Sequence, residues 1–454
     1  MAVETNEGER EIPFSEYKAL SESQAKKLIE LSLTPEEKVL REFNKRYAIV
    51  RTSTTHILFQ RSDTAFELDT RTSFKNFHEN DFFINSDGKS RNKAVFWLKH
   101  PLRRTFENIV FDPARPGDHD HNFNIFKGFS VAPQKGDCSL YWNHVKEVIC
   151  SNHEPSYQYV RKWLACIIQK PTLLATALVL RGLQGTGKNK FVDCFGRLFG
   201  PYFLTVTSLE HLTGKFNSHL KYAYLVHANE ALWGGSRKEI GALKAFITDP
   251  SIIIEGKGKD AIPIDNCHHL IVSSNEEWAV PMDLDDRRFF VLNISSHRKE
   301  DVSYFHTLSE QMDQKGLSAL LFDLLCEDLS SFDPRKMPPN DCGFDIKMKT
   351  AGSPEKFLFA ALQEGRCNMA QAGEWGPVSC EEFYNNYKAW CLQEGLRHEV
   401  SSEFGKRLRK LLLVEKSRRS VDGSREWWYM LPSLEECRNR FQSFTKQTAQ
   451  IWEE

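Results

Sequence analysis

Net charge is what this chain of 454 residues lacks: 60 Lys and Arg stand against 61 Asp and Glu, a formal charge of -1. A uniformly basic coat of the kind common on nucleic-acid-binding domains is excluded, although local patches are not. Long apolar runs are missing as well. The longest uncharged apolar stretch, Leu173 to Leu180, is less than half of the roughly 20 residues a membrane helix needs. The opening MAVETNEGERE is acidic and polar, without the basic-then-apolar order of a secretory peptide, so no targeting segment and no membrane partner are expected. The 11 cysteines are odd in number and show no CxxC spacing, which argues for reduced packing residues in a cytosol-like compartment and against a zinc site or disulfide framework. Internal repeats and low-complexity tracts are absent. What is present is an ordinary globular composition, 41% hydrophobic and 27% charged, in a chain long enough for about three domains at roughly 150 residues each.

Composition and patterning divide the chain into a flexible leader (1–36), a small N-terminal α+β domain (37–150), a motif-rich α/β core (151–300), a helical segment and linker (301–350), a C-terminal compact unit (351–435) and a tail (436–454). Within the N-terminal domain the stretch KSRNKAVFWLKHPLRR, Lys89 to Arg104, carries six basic residues and no acidic one. It reads as a half-buried strand and turn with a solvated face, or as a contact to nucleic-acid phosphates. Asp118, His119, Asp120 and His121 form a tempting acidic pair with histidines. They sit in a Gly/Asn-rich loop with too little chain before them for a polymerase fold.

The densest motif begins at Thr176. A β-branched apolar strand leads into Gly182, Gln184, Gly185, Thr186, Gly187, Lys188 and Asn189, followed by a helical pattern with Phe191, Val192, Phe195, Leu198 and Phe199 on one face. Strand, glycine loop and helix in that order is the context in which GxxxxGK wraps phosphates in backbone N–H groups, with the lysine reaching the terminal phosphates. ATP and Mg²⁺ are therefore the expected cofactors. Asn189 stands where Ser or Thr would usually offer a hydroxyl to the metal; its amide oxygen is also a hard ligand, directly or through water.

Some 40 residues on, a buried strand ends in Asn229 and Glu230. At this distance from a phosphate loop Glu230 is the candidate general base, and Asn229 occupies the place where an Asp often helps hold the metal. A third apolar strand ends in Asn275, placed to sense the γ-phosphate or the lytic water. Arg287 and Arg288 precede a fourth strand, where arginine can stabilise the transferring phosphoryl group from a neighbouring subunit, though paired arginines are also commonplace on surfaces. Between them, Ile252 to Asn266 reads as a hairpin whose glycine-rich tip presents Lys257 and Lys259, suited to gripping a phosphate backbone without reading bases.

These residues, in this order and within the 94 positions from Gly182 to Asn275, resemble a superfamily-three helicase with its A, B, B-prime and C motifs. The stretches LEHLTGKFNSHL, ANEALWGG, EGKGKDA, SSNEEWAVP and DDRRFFVL are similar to the helicase-like domain of phage and viral primase-helicases and phage primase-polymerases, over roughly residues 40 to 300. The resemblance implies a P-loop, AAA+-like α/β ATPase that assembles into a ring, usually a hexamer, and moves along single-stranded or forked DNA. Lys188 would bind the β- and γ-phosphates, Glu230 activate water, Asn275 act as sensor, Arg287 or Arg288 reach the neighbour's nucleotide, and Lys257 with Lys259 line the pore. A primase or polymerase partner would lie on another polypeptide. The location would be a bacterial host's cytoplasm, or a nucleus for a eukaryotic element. The expected function is an ATP-dependent DNA helicase or translocase in phage, viral or mobile-element replication; an AAA+ initiator or helicase loader is the alternative, and a degenerate nucleotide-binding scaffold a third.

In the C-terminal unit Ser379 and Glu382 predict a capping box for a helix ending at Gly395. A second helix from about Ser402 sets Phe404, Leu408, Leu411 and Leu412 on one face and Lys406, Arg407, Arg409 and Lys410 on the others. VEKSRRS and REWWYML, joined through Asp422 and Gly423, read as a hairpin carrying Arg418 and Arg419. Helix, turn, basic helix and basic hairpin is the order of a winged helix, and Arg397 to Arg425 holds nine basic against four acidic residues. DNA or a protein could be its partner.

Overall fold

The computed structural model describes residues 2–5, 8–11, 32–51, 55–60, 66–208, 210–230, 237–258, 261–276, 280, 282–338, 342–367, 375–421, 424–445 and 451–452. Its contacts divide the chain into two compact units, residues 1–128 and 129–454.

The first unit opens with a hairpin of β1 (Ala2–Thr5) and β2 (Gly8–Glu11). Helix α1 (Pro35–Arg46) starts at a full capping box, in which Thr34 and Glu37 satisfy each other's backbone N–H, and Pro35 occupies the first turn. It leads into the antiparallel strands β3 (Tyr47–Arg51), β4 (Thr55–Gln60) and β5 (Phe66–Asp69). Helix α2 (Arg71–Phe77), the hairpin β6 (Phe82–Ile84) and β7 (Ser90–Asn92), and helix α3 (Lys93–Lys99) follow. Two-residue β8 (Thr105–Phe106) pairs in parallel with β3, and β9 (Asn108–Val110) with β10 (Asn122–Asn124). The basic stretch expected as strand and turn has both, at Ser90–Asn92 and at 101–103, with the seven-residue α3 between them. Asn92 caps this helix by accepting from Val95 N (3.0 Å), and Ala94, Trp97 and Leu98 are buried at helical spacing.

The second unit begins with α4 (Ser139–Asn143), which runs into a π-helical turn, His144–Ile149, and then α5 (Glu154–Gln169). The boundary expected near residue 150 shifts to 128 because this lead-in packs forward: Tyr141 stacks on Phe191 (6.0 Å between centroids), and Trp142 Nε1 donates to Asp323 (3.1 Å). A parallel sheet follows, built from β11 (Ala177–Arg181), β12 (Phe203–Val206), β13 (Leu225–Asn229), β16 (His269–Ser274) and β17 (Phe289–Asn293), in the spatial order β12-β13-β16-β11-β17. The four strands β13, β16, β11 and β17 are buried along nearly their whole length, as expected where both faces are covered, while the edge strand β12 is partly exposed. Helix α6 (Lys188–Gly196) follows β11, and α7 (Arg237–Thr248) leads to the antiparallel hairpin β14 (Ser251–Ile254) and β15 (Ile262–Asp265). Helix α8 (Val302–Gln311) continues through a second π turn into α9 (Leu317–Cys326).

Helix α10 (Cys342–Thr350) connects to the C-terminal group: α11 (Ser353–Glu364), β18 (Val378–Ser379), α12 (Cys380–Gln393), α13 (Ser401–Leu412), the hairpin β19 (Glu415–Val421) and β20 (Ser424–Met430), and α14 (Leu434–Phe444). Of the expected box at α12, Ser379 accepts from Glu382 N (3.3 Å). The hairpin's turn residues Asp422 and Gly423 lie outside the described residues, and Val421 pairs with Ser424 across them. Residues 436–454, expected as a tail, instead carry most of α14, whose Cys437 and Phe441 are buried in the same core as Phe357, Phe383, Tyr387, Phe404 and Leu408. Among the described residues no helix is long and apolar enough to cross a membrane.

Candidate functional site

The loop between β11 and α6 starts from a strand pinned on both sides: Gly182 N donates to Ser274 O (3.1 Å), and Ile294 N to Arg181 O (2.8 Å). Gly185 and Gly187 lie at φ of +78° and +96°, and Gly187 is the residue from which α6 begins. Beneath the loop His144 is fully buried, and burial pushes its pKa down to about 4. The ring is therefore neutral at pH 7, so Nε2–H donates to Gly187 O (3.1 Å) and Nδ1 accepts from the Tyr304 hydroxyl (3.1 Å). On the other side Glu300 N donates to Gly185 O (3.1 Å). His144, Glu300 and Tyr304 were not singled out in the sequence, and no local pattern marks them.

Lys188 is buried and turned toward the start of the loop. Its ammonium donates to Gly182 O (2.5 Å), Leu183 O (2.8 Å) and Asn275 Oδ1 (2.7 Å). Burial lowers its pKa, opposed by the nearby Glu230 carboxylate. Asn275 in turn donates from Nδ2 to Glu230 Oε1 (2.7 Å). Lys188 at the start of α6 and, just beyond the ends of two parallel strands, Asn275 and Glu230 thus form one hydrogen-bonded chain. Glu230 follows the last residue of β13 at φ +51°, a conformation uncommon for a residue with a Cβ, and its N donates to Ser273 O (2.9 Å). Asn229 is half-buried with its Oδ1 unpaired, Thr186 Oγ1 donates to Leu183 O (2.8 Å), and Gln184 and Asn189 are exposed. Beside the loop opens a cleft of about 510 Å³ lined by Arg181, Leu183, Asn275, Ile294, Asp345 and Met348.

Arg287 and Arg288 are elsewhere. Ala177 N, at the start of β11, donates to Arg288 O (2.7 Å), so both arginines sit at the end of the sheet opposite the loop. The five residues of β11 hold them roughly 16 Å from it at about 3.3 Å per residue. Arg288 pairs with buried Asp286 (3.3 Å), while Arg287 is exposed on the rim of a second cleft. Of the hairpin lysines, Lys257 is exposed beside Gly258 (φ +72°); Lys259 lies outside the described residues.

The C-terminal cations share one hairpin and helix, and several are already occupied. Lys406 pairs with Glu403 (2.6 Å), Arg407 with Glu355 (3.3 Å), and Arg409 Nε donates to Gly405 O (3.2 Å). Lys410 lies over Phe444, Arg418 over Trp427 and Arg419 over Trp428, at 5.1, 4.8 and 5.4 Å. In the first unit, Asp118 accepts from Arg104 (2.8 Å) and Lys127, and Asp120 pairs with Arg115 (2.6 Å). These carboxylates staple a loop, and among the described residues no group of three or more His, Cys, Asp or Glu could hold a metal.

Residues 180–288, which contain the whole hydrogen-bonded chain, match the family of unknown function DUF5906. Over 141 residues the chain is 31% identical to the DNA primase-polymerase of Nitratiruptor phage NrS-1; the match takes in 30% of this chain and spans only 20% of that protein. Two solved apo structures of the NrS-1 C-terminal region have the same fold, with TM-scores of 0.65 and 0.66 at 17% identity, covering 88% and 87% of this chain and 100% and 99% of theirs. A stretch of 141 residues of this chain is therefore homologous to a phage DNA primase-polymerase, and the chain's fold is that of the NrS-1 C-terminal region.

Proposed function

We propose that this protein is an ATP-dependent DNA translocase or helicase of phage or mobile-element replication, built on an AAA+-like core and acting as a ring in the cytoplasm. The observation that carries the reading is the chain from Lys188 through Asn275 to Glu230 at one edge of a parallel sheet. It brings a cation for phosphate, an amide that can sense it and a carboxylate that can take a proton from water to one place. The strand order, with the loop-bearing β11 between β16 and β17, supports the AAA+-like assignment, and the order of α11 to β20 supports a winged helix.

Mg²⁺ fits this site through the orphaned Asn229 Oδ1 and the Glu230 carboxylate, with exposed Asn189 next to Lys188 in the chain. When bound it would supply charge neutralisation at the phosphates. The chain's own residues do the rest: backbone N–H groups at the start of α6 and Lys188 hold the phosphates, and Glu230 accepts the water's proton.

ATP turnover measured with and without single-stranded DNA tests the reading. Turnover should rise with DNA and fall at least 100-fold, an order-of-magnitude expectation for removing a phosphate-binding cation, in Lys188→Ala. Absence of turnover in the native chain would overturn it, and strand displacement from a forked duplex separates a helicase from an initiator or loader.

The position of Arg287 makes a second test. It cannot reach the loop of its own chain, so a role at a nucleotide requires a neighbour. Mixing inactive Arg287→Ala with Lys188→Ala should restore part of the turnover, because some interfaces then pair an intact loop with an intact arginine. Mixed assemblies without any recovery would remove Arg287 from that role.

A further inference from the structure

The first unit carries a groove of about 440 Å³ formed by one side of α3 and the residues flanking it, with Arg91, Asn92, Phe96, Lys99, His100 and Pro101 in its wall. That volume lies within the ~300–1,000 Å³ typical of sites for small organic ligands. Its chemistry is one-sided. Arg91 and Lys99 are exposed, and among the described residues no carboxylate lines the groove. The acid on which Arg91 acts is Glu36, and that carboxylate is already engaged by Ser86 N (2.9 Å) and Ser86 Oγ (2.7 Å). By contrast Lys93, on the same helix, is spent on Asp81 (3.0 Å) and Glu42 (3.7 Å).

The floor of the groove is aromatic and fixed. Phe96 packs against Phe83 (5.2 Å) and His100 (5.3 Å), and Val95 beside it in the chain is 40% exposed. His100 Nδ1 accepts from Leu102 N (3.1 Å), so in the neutral ring the proton is on Nε2, which remains a donor. Helix α3 is anchored by fully buried Trp97, whose Nε1 donates to Asn44 (2.8 Å), so the groove's wall does not depend on its occupant for its shape.

Exposed cations beside an aromatic face, with no acid among the described lining residues, match a nucleotide unit in a strand: phosphates on either side and an unstacked base. Duplex DNA presents its bases stacked and would leave Phe96 unused. We propose that this groove binds single-stranded DNA, with Arg91 and Lys99 holding successive phosphates and Phe96 and Pro101 receiving a base. The site is separate from the phosphate loop, and the proposal rests on the DNA-acting reading only for the kind of ligand.

The test is made in the full-length Lys188→Ala chain, without ATP, so that its result does not depend on turnover. Binding of labelled oligo-dT is followed by anisotropy over a salt series for Lys188→Ala and for the same chain with Arg91→Glu and Lys99→Glu added. Both added positions are exposed, and circular dichroism of the two proteins should coincide. The added substitutions should weaken oligo-dT binding about tenfold or more and flatten the salt dependence by about 1.4, at roughly 0.7 per phosphate contact on a single strand. Light-induced crosslinking of iododeoxyuridine-containing oligo-dT should mark the peptide containing Phe96 in the parent and lose it in the variant. An unchanged salt slope, a loss equal for duplex and single strand, or crosslinks confined to other peptides would each overturn the proposal.

Discussion

Glu230→Gln is expected to retain ATP binding while turnover falls about 10² to 10⁴-fold, the usual cost of losing a general base. The substitution is nearly isosteric. A glutamine oxygen can still accept from Asn275 Nδ2, as Glu230 Oε1 does at 2.7 Å, so the link to Lys188 need not break. What the amide cannot do is take the proton of an attacking water. The left-handed backbone at residue 230, φ +51°, is no harder for Gln than for Glu, so folding should be unaffected. Binding of a fluorescent ATP analogue and steady-state phosphate release, measured on one preparation, separate the two effects. Native turnover in Glu230→Gln would assign proton transfer to another group; loss of binding together with turnover would show that the carboxylate holds the nucleotide or its metal.

The second large effect is structural. In Gly187→Ala the new methyl would sit 2.6 Å from His144 Cε1 and 2.7 Å from Phe305 Cε1, at a backbone φ of +96° that residues with a Cβ avoid. Overpacking costs about 1–3 kcal/mol and the left-handed conformation roughly 1–2 more. A fall in melting temperature of about 5 °C or more is expected on the scale of ~2–4 °C per kcal/mol, with loss of ATP binding because the start of α6 moves. Gly258→Ala is the internal control. Its φ is also positive, +72°, but among the described residues nothing lies within 4 Å of the added methyl. It should cost only the conformational term, so equal effects at the two glycines would show that contact with His144 and Phe305 is unimportant.

The residues that the structure links by hydrogen bonds were legible in the sequence from the apolar strands before them. Glu230 and Asn275 each follow such a strand directly, Lys188 follows one through the glycine loop, and a parallel sheet brings the C-terminal ends of its strands together. Spacing alone could not reveal which end of the sheet Arg287 and Arg288 occupy, because that depends on the parallel register of β17 with β11. Nor could it find His144, which reaches Gly187 from 43 residues upstream, or Tyr304, which meets His144 across 160. The stretch at 89–104 was read as a half-buried strand and turn, and the helix between the two was missed because its signals are one capping contact from Asn92 and the burial of Trp97. The shifted first boundary and the C-terminal helix have the same cause, since Tyr141, Trp142, Cys437 and Phe441 declare their partners only through distant contacts.

An ammonium group has three N–H bonds, and Lys188 has given all three to oxygen atoms of its own chain. On the proposed reading an incoming phosphate is therefore a competitor before it is a ligand. Exchange of the two carbonyl partners is a local matter within the loop. Exchange of Asn275 is not, because the same amide steadies Glu230. A phosphate oxygen that draws the lysine away leaves Asn275 Oδ1 without its donor and frees the amide to turn, taking the carboxylate's support with it. On that same reading the site would work as an interlock: the group proposed to take the proton is parked while the lysine is at home, and is released to act when the lysine has something else to hold.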